Sequence, residues 1–170
     1  MKSRSILALS ALGALVFSTP AFAGTSPPAS VAVTLIIDNS CTLNGTGALD
    51  FGTRTAGTAA TNIDAQSTGL TVTCSGSSPT ATINVSAGAN AIGSQRRLRL
   101  GATATYVPYD LYQDAGRTTK FDPTIFQSIP GGLVGGTSDV VVYGRIVVGT
   151  PMPNGNGTKF TDNVAVTITY

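Results

Sequence analysis

The sequence predicts an all-β protein, an immunoglobulin-like sandwich of seven or eight short strands. Three observations point there. Apolar residues alternate with polar or small ones in several windows, and no window shows a helical period. The chain is rich in Gly, Thr, Ala, Val and Ser, a composition that opposes long helices and suits short strands. Glycine- and proline-bearing turns recur between the alternating windows.

The first segment reads as an export signal. Lys2 and Arg4 open the chain, an apolar run covers residues 6–17, and Pro20 precedes Ala21-Phe22-Ala23. The run falls short of the ~20 apolar residues a bilayer span needs. Small residues stand at the two positions a signal peptidase reads. Residues 1–23 are therefore expected to be a signal peptide, with no membrane insertion of the mature chain. Residues 24–170 then suit one domain around one core. That mature chain divides into an N-terminal arm at 24–38 and a β-sandwich domain at 39–170.

Strand by strand, Val31, Val33, Leu35 and Ile37 alternate with Ala32, Thr34 and Ile36, ending at Asp38-Asn39-Ser40. Leu49-Asp50-Phe51-Gly52 is a short strand entering a featureless loop at 53–67. Leu70-Thr71-Val72-Thr73-Cys74 alternates again. Ala81, Ile83 and Val85 mark one face of the next strand, closed by Gly88. Leu98 and Leu100 among Arg96, Arg97 and Arg99 read as an exposed edge or hairpin strand, its charges discouraging stray pairing. Residues 106–112 supply the most aromatic strand, which Pro108 should restrict to an edge or bulge. Residues 140–148 form one strand after a glycine-rich turn, and Val164, Val166 and Ile168 alternate up to Tyr170.

Charge and chemistry narrow the function classes. Without Lys2 and Arg4, eight basic residues face eight aspartates and no glutamate, so nothing asks for nucleic acid or an acidic membrane. Cys41 and Cys74 are the only cysteines, and in an exported chain such a pair reads as a disulfide. Closing that loop stabilises by about 3.8 kcal/mol in the chain-entropy model. No metal is expected, since two thiolates alone do not fill a tetrahedral site and the chain has no histidine. The absence of histidine also removes Ser-His-Asp and Cys-His catalysis. Asp110 and Asp114 are explained by strand ends and turns, and Gly155-Asn156-Gly157-Thr158-Lys159 reads as a hairpin turn rather than a phosphate loop. Tyr106, Tyr109, Tyr112 and Tyr143 fit a strand core better than a sugar-binding surface. No cofactor and no catalytic residue are expected.

Two features remain. The domain is expected to end on its last strand at Tyr170, without a further C-terminal strand. An alternating apolar strand stands just ahead of Cys41, where it can pair within its own domain or serve another.

At this point the chain resembles a known family. Val31-Ala32-Val33-Thr34-Leu35-Ile36-Ile37 leads to Cys41-Thr42, then Leu49-Asp50-Phe51-Gly52, Leu70-Thr71-Val72-Thr73-Cys74 and Arg97-Leu98. The likeness is densest at Tyr109-Asp110-Leu111-Tyr112-Gln113-Asp114-Ala115-Gly116-Arg117-Thr118. It continues at Tyr143-Gly144-Arg145-Ile146 and Asp162-Asn163-Val164-Ala165-Val166-Thr167-Ile168-Thr169-Tyr170. In this order the segments are similar to the spore coat protein U domain family, which includes the Csu-type pilins of archaic chaperone–usher pili.

The resemblance implies an incomplete immunoglobulin-like sandwich lacking its last strand and completed by a donor strand from another subunit. Val31, Val33, Leu35 and Ile37 would be the donor residues, and Val164, Val166 and Ile168 the best candidates for the accepting groove. Burying the four donor side chains at ~1.5–3 kcal/mol each gives ~6–12 kcal/mol before ordering costs. Implied partners are copies of itself or related subunits, a periplasmic chaperone and an outer-membrane usher. The implied location is a cell-surface pilus reached through the periplasm. An extra N-terminal binding domain, as a tip adhesin would carry, has no room here, so a rod or adaptor subunit is expected. The alternative is a secreted spore-coat or extracellular matrix protein of the same fold, complemented by its own arm.

Overall fold

A computed structural model describes residues 30–36, 40–75, 81–130, 132–133 and 136–170. The expected signal peptide lies outside the described residues. The chain divides into two units, residues 1–35 and 36–170. In the first, residues 30–35 form no strand or helix. The alternation there builds no ladder, because a strand exists only through hydrogen bonds to a neighbour.

The second unit is all-β: among the described residues there is no helix. In chain order its strands are β1 (Ser40–Asn44), β2 (Ala48–Leu49), β3 (Gly57–Thr58), β4 (Ile63–Thr68), β5 (Thr71–Ser75), β6 (Thr82–Val85) and β7 (Arg96–Leu100). There follow β8 (Tyr106–Tyr112), β9 (Gln127–Ser128), β10 (Thr137–Asp139), β11 (Tyr143–Ile146), β12 (Pro151–Met152), β13 (Phe160–Thr161) and β14 (Val166–Thr169). Every pairing is antiparallel. A six-stranded sheet runs β13-β7-β8-β11-β4-β2, opposed by two three-stranded sheets, β1-β5-β10 and β14-β6-β9, with a small ribbon of β12 and β3. This is an antiparallel arrangement of immunoglobulin-like sandwich type.

One hydrophobic cluster lies between the layers. Val72 of β5 and Ile83 and Val85 of β6 enter from one side, Val107 and Leu111 of β8 and Ile146 of β11 from the other. The period of two explains each: Ala81, Ile83 and Val85 share a face, as do Val107, Tyr109 and Leu111.

Several sequence expectations are corrected. First, residues 53–67 are not a loop throughout, since they hold β3 and most of β4, which lies between β2 and β11. Its inward residues are Ile63, Ala65 and Ser67, too small and polar to raise an alternation signal. Ser67 is buried because both its polar groups are matched: its N–H donates to the Val142 carbonyl (2.7 Å), and its Oγ accepts the Val142 N–H (2.8 Å).

Second, residues 140–148 are not one strand. β10 belongs with β5 and β11 with β4, so the chain changes sheets between them. Val140 still donates to Leu70 O (2.9 Å), whereas Val142 already bonds to Ser67.

Third, Pro108 lies inside the sheet, because β8 runs between β7 and β11. The β11 ladder covers only Asp110 to Tyr112, so Pro108 sits past its end. The Leu111 carbonyl accepts from Phe121 on the β7 side of the strand. Alternation therefore turns the Pro108 nitrogen to the β11 side, where no ladder donor is needed.

Fourth, β7 does form a hairpin with β8 but is not an exposed edge. It is paired on both sides, by β8 and β13. Arg96 is only 4% exposed. Its guanidinium donates to the carbonyls of Val85 (2.5 Å), Ser86 (2.9 Å) and Phe121 (3.0 Å). Burial lowers its pKa from the free value. The planar fork with several donors suits three diverging carbonyls, which a lysine could not reach together. Arg97 stacks over the Tyr106 ring at 3.9 Å and donates to Asn90 O, so its charge is also used within the fold.

Residues 155–159 do form a tight turn, with Thr158 N–H donating to Gly155 O (2.8 Å). It is not a hairpin, however, because the flanking β12 and β13 pair with β3 and β7.

Cys41 and Cys74 are joined by a disulfide. They stand directly opposite in the β1–β5 ladder. The Cys74 N–H donates to Gly136 O on the other edge of β5 (2.6 Å), so the pair is a non-hydrogen-bonded one, where opposed side chains come closest.

Two outcomes are expected. Arg96→Ala lowers unfolding stability by about 3 kcal/mol in urea titrations, because three carbonyls lose a charged donor, and Arg96→Lys recovers less than half of that. Replacing both Cys41 and Cys74 by serine lowers it by about 4 kcal/mol, with far-UV circular dichroism unchanged at low temperature.

Candidate functional site: an open cleft in the sandwich

The second unit contains a cleft of about 920 Å³ that opens onto the hydrophobic core. Its deepest lining residues are Phe51, Val85, Val107, Leu111, Val142 and Ile146, each counted among the buried core. Toward the rim stand Leu43 of β1, Leu70, Phe160 and Val164, with Val166 of β14. β1 has β5 as its ladder partner and β14 has β6, so each presents one free edge among the described residues. The two strands lie near one another without a shared ladder. Apolar side chains and unpaired backbone therefore meet at one opening.

The residues singled out from the sequence fall as follows. Val164 and Val166 line the cleft. Ile168 does not; it pairs with Ile83 and packs half-buried on the core behind. Val31, Val33 and Leu35 are 85%, 88% and 81% exposed, and Ile36 is exposed to the same degree. Ile37 lies outside the described residues. Floor residues such as Phe51, Val107 and Leu111 were not named from the sequence as site residues, although their alternation placed them on strands. Among the tyrosines, Tyr109 and Tyr112 are buried and Tyr106 and Tyr143 half-buried.

Close approach at the floor depends on one glycine. Gly144 of β11 faces Phe51 and Leu49, and a Cβ there would stand 2.9 Å from Phe51 Cζ and 3.0 Å from the Leu49 methyls. Phe51 in turn meets Tyr109 edge-on, with ring centroids 5.9 Å apart.

The densest family-like segment, from Tyr109 to Thr118, is structural. Asp114 accepts from the backbone N–H groups of Thr118 and Thr119, which hold its carboxyl below the usual carboxylate range. That closes the turn in which Arg117 takes a left-handed backbone, φ 56°. The turn sends the Arg117 guanidinium to the carbonyls of Gly144 (3.1 Å) and Ala65 (3.0 Å). Asp64 and Arg145 form a bidentate pair across β4 and β11 (2.7 and 2.8 Å), and this bond lowers the Asp64 pKa. Asp110, expected at a strand end, is within β8 and bonds Lys120.

The spore coat protein U domain profile matches residues 28–167, a span that takes in the exposed residues 30–36 and almost all of the sandwich. The chain belongs to that family. Its relatives include Protein U of Myxococcus xanthus, 32% identical over 178 aligned positions that cover 98% of this chain and 97% of that protein. The family comprises structural proteins of spore coats and pili, extracellular or surface-associated, and is not enzymatic.

Gly144→Ala is expected to cost about 1–3 kcal/mol of stability in urea titrations, because Phe51 must leave its place on the floor.

Proposed function

We propose that this chain is a structural subunit of a surface pilus that polymerises by strand donation. The observation that carries the reading is the cleft: core side chains and the free edges of β1 and β14 meet at one opening. An extended segment laid there would add a backbone ladder and place alternate side chains on the apolar floor. The exposed arm has the matching pattern, with Val31, Val33, Leu35 and Ile37 as donor residues. Val164 and Val166 form the accepting wall, backed by Ile168.

In this reading residues 1–23 are removed on export, 24–38 are the arm and 39–170 the pilin domain. A periplasmic chaperone covers the cleft first, an outer-membrane usher receives the subunit, and the arm of the next copy replaces the chaperone. Such a head-to-tail contact does not close, so its product is a filament. A filament of this kind serves adhesion or biofilm formation.

The second reading is a secreted spore-coat or matrix protein in which the arm completes its own domain. The family's description as a spore coat protein domain favours it. Genes for a chaperone and an usher, if found beside this one, would favour the pilus, and their absence the coat protein.

Leu35→Asp is the test. It is expected to abolish multimers of the mature chain in size exclusion and electron microscopy while the chaperone complex still forms. Filaments of normal length from that variant overturn strand donation. A wild-type mature chain that is monomeric and stable alone selects the coat reading.

A further inference from the structure

The link between β13 and β14 crosses from one layer of the sandwich to the other. β13 ends at Thr161 on β7 of the six-stranded sheet, and β14 begins at Val166 on β6 of the opposing sheet. Between them Asp162, Asn163 and Val164 all line the cleft.

One carboxylate organises it. Asp162 Oδ1 accepts from the backbone N–H of Asn90 (3.1 Å), the Asn90 side-chain amide (3.0 Å) and the N–H of Asn163 (2.9 Å). Its Oδ2 accepts from the hydroxyl of Tyr109 (2.8 Å), a buried residue of β8. Asn90 also donates to Thr161 O (3.1 Å), and Ala89 N–H donates to Asn163 O (3.0 Å). Donors thus converge on Asp162 from the floor strand, from the β6–β7 connection and from the crossing itself. Gly88 leaves the necessary room: a Cβ there would collide with the Asp162 carboxylate. Burial and the Asp162 contact raise the Tyr109 pKa, so its hydroxyl stays a neutral donor.

We propose that Asp162, with Tyr109, is a positioning residue that holds the cleft at the width of a strand. The proposal rests on the strand-donation reading. Val164 and Val166 are apolar and face an apolar floor, so burial draws them inward. Asp162 opposes that collapse by tying the crossing to β8 and to Asn90 at fixed distances. A cleft closed for part of the time accepts a strand with an affinity reduced by the closed fraction.

The experiment uses the mature chain carrying Leu35→Asp, so that its own arm does not compete, and a labelled synthetic peptide of residues 24–38. Binding is measured well below the melting temperature of each variant. Adding Asp162→Ala is expected to weaken peptide binding about tenfold, and Tyr109→Phe about threefold. Tyr109→Phe keeps the ring against Phe51 and removes only the hydroxyl, so it guards against simple misfolding. Asp162→Asn is expected to bind within about twofold of the parent, because its amide oxygen keeps the Asn90 and Asn163 donors and its NH₂ reaches the Tyr109 oxygen. Equal peptide affinity in the parent, Asp162→Ala and Tyr109→Phe overturns the positioning role and leaves strand donation standing. No peptide binding by the parent overturns both.

Discussion

An antiparallel sandwich has to satisfy its edge backbone and cover its apolar interior at the same time, and between β1 and β14 this unit does neither with a strand of its own among the described residues. The rest of the structure is organised around that opening. On one side β1 is tied covalently to β5 through Cys41 and Cys74. On the other, β14 is held by its ladder to β6 and by the bonds around Asp162. Beneath, Gly144 lets Phe51 reach the floor. The walls are braced through polar groups and the disulfide, so that the apolar lining of the cleft is left uncommitted.

Arginine has an unusual share of this bracing. Arg96 gathers three carbonyls inside the fold, and Arg117 reaches Gly144 and Ala65 from a left-handed turn. Arg97 stacks on Tyr106. Gly144 and Ala65 are a ladder pair whose carbonyls take an extra donor, whereas Val85 closes β6 and Ser86 and Phe121 lie outside any strand. A long side chain with several donors reaches carbonyls of both kinds. The balanced charge of residues 24–170 hides this, since the cations serve internal oxygens more than solvent or a partner.

How much could be read from the sequence follows from side-chain size. β5, β6, β8 and the last strand were legible because Val, Ile, Leu and Tyr alternate there with polar residues. β4 was not, since Ile63, Ala65 and Ser67 carry little hydrophobic contrast, and its place depends on the later Val142 supplying partners for Ser67. The run of arginines in β7 read as a solvated edge because local sequence cannot show that Val85, Ser86 and Phe121 arrive with free carbonyls. Pro108 read as an edge marker for a sound local reason. The sheet satisfies the same rule in another way, by ending β11 before it. Of the cleft, the pattern of Val164 and Val166 was visible, whereas the floor is assembled from strands distant in the chain.

The disulfide has a mechanical side. It sits at the second residue of β1, close to where the arm joins the sandwich. Under the strand-donation proposal, a pull on the arm would enter the domain at this end of the strand. Hydrogen bonds loaded from one end of a strand break one after another, as a zipper does. Here the load passes through the sulfur bridge into β5, an inner strand held by β1 and β10. The β1–β5 hydrogen bonds beyond Cys41 are then bypassed instead of being peeled singly. A chain that hangs from its arm would yield first somewhere other than at the root of that arm.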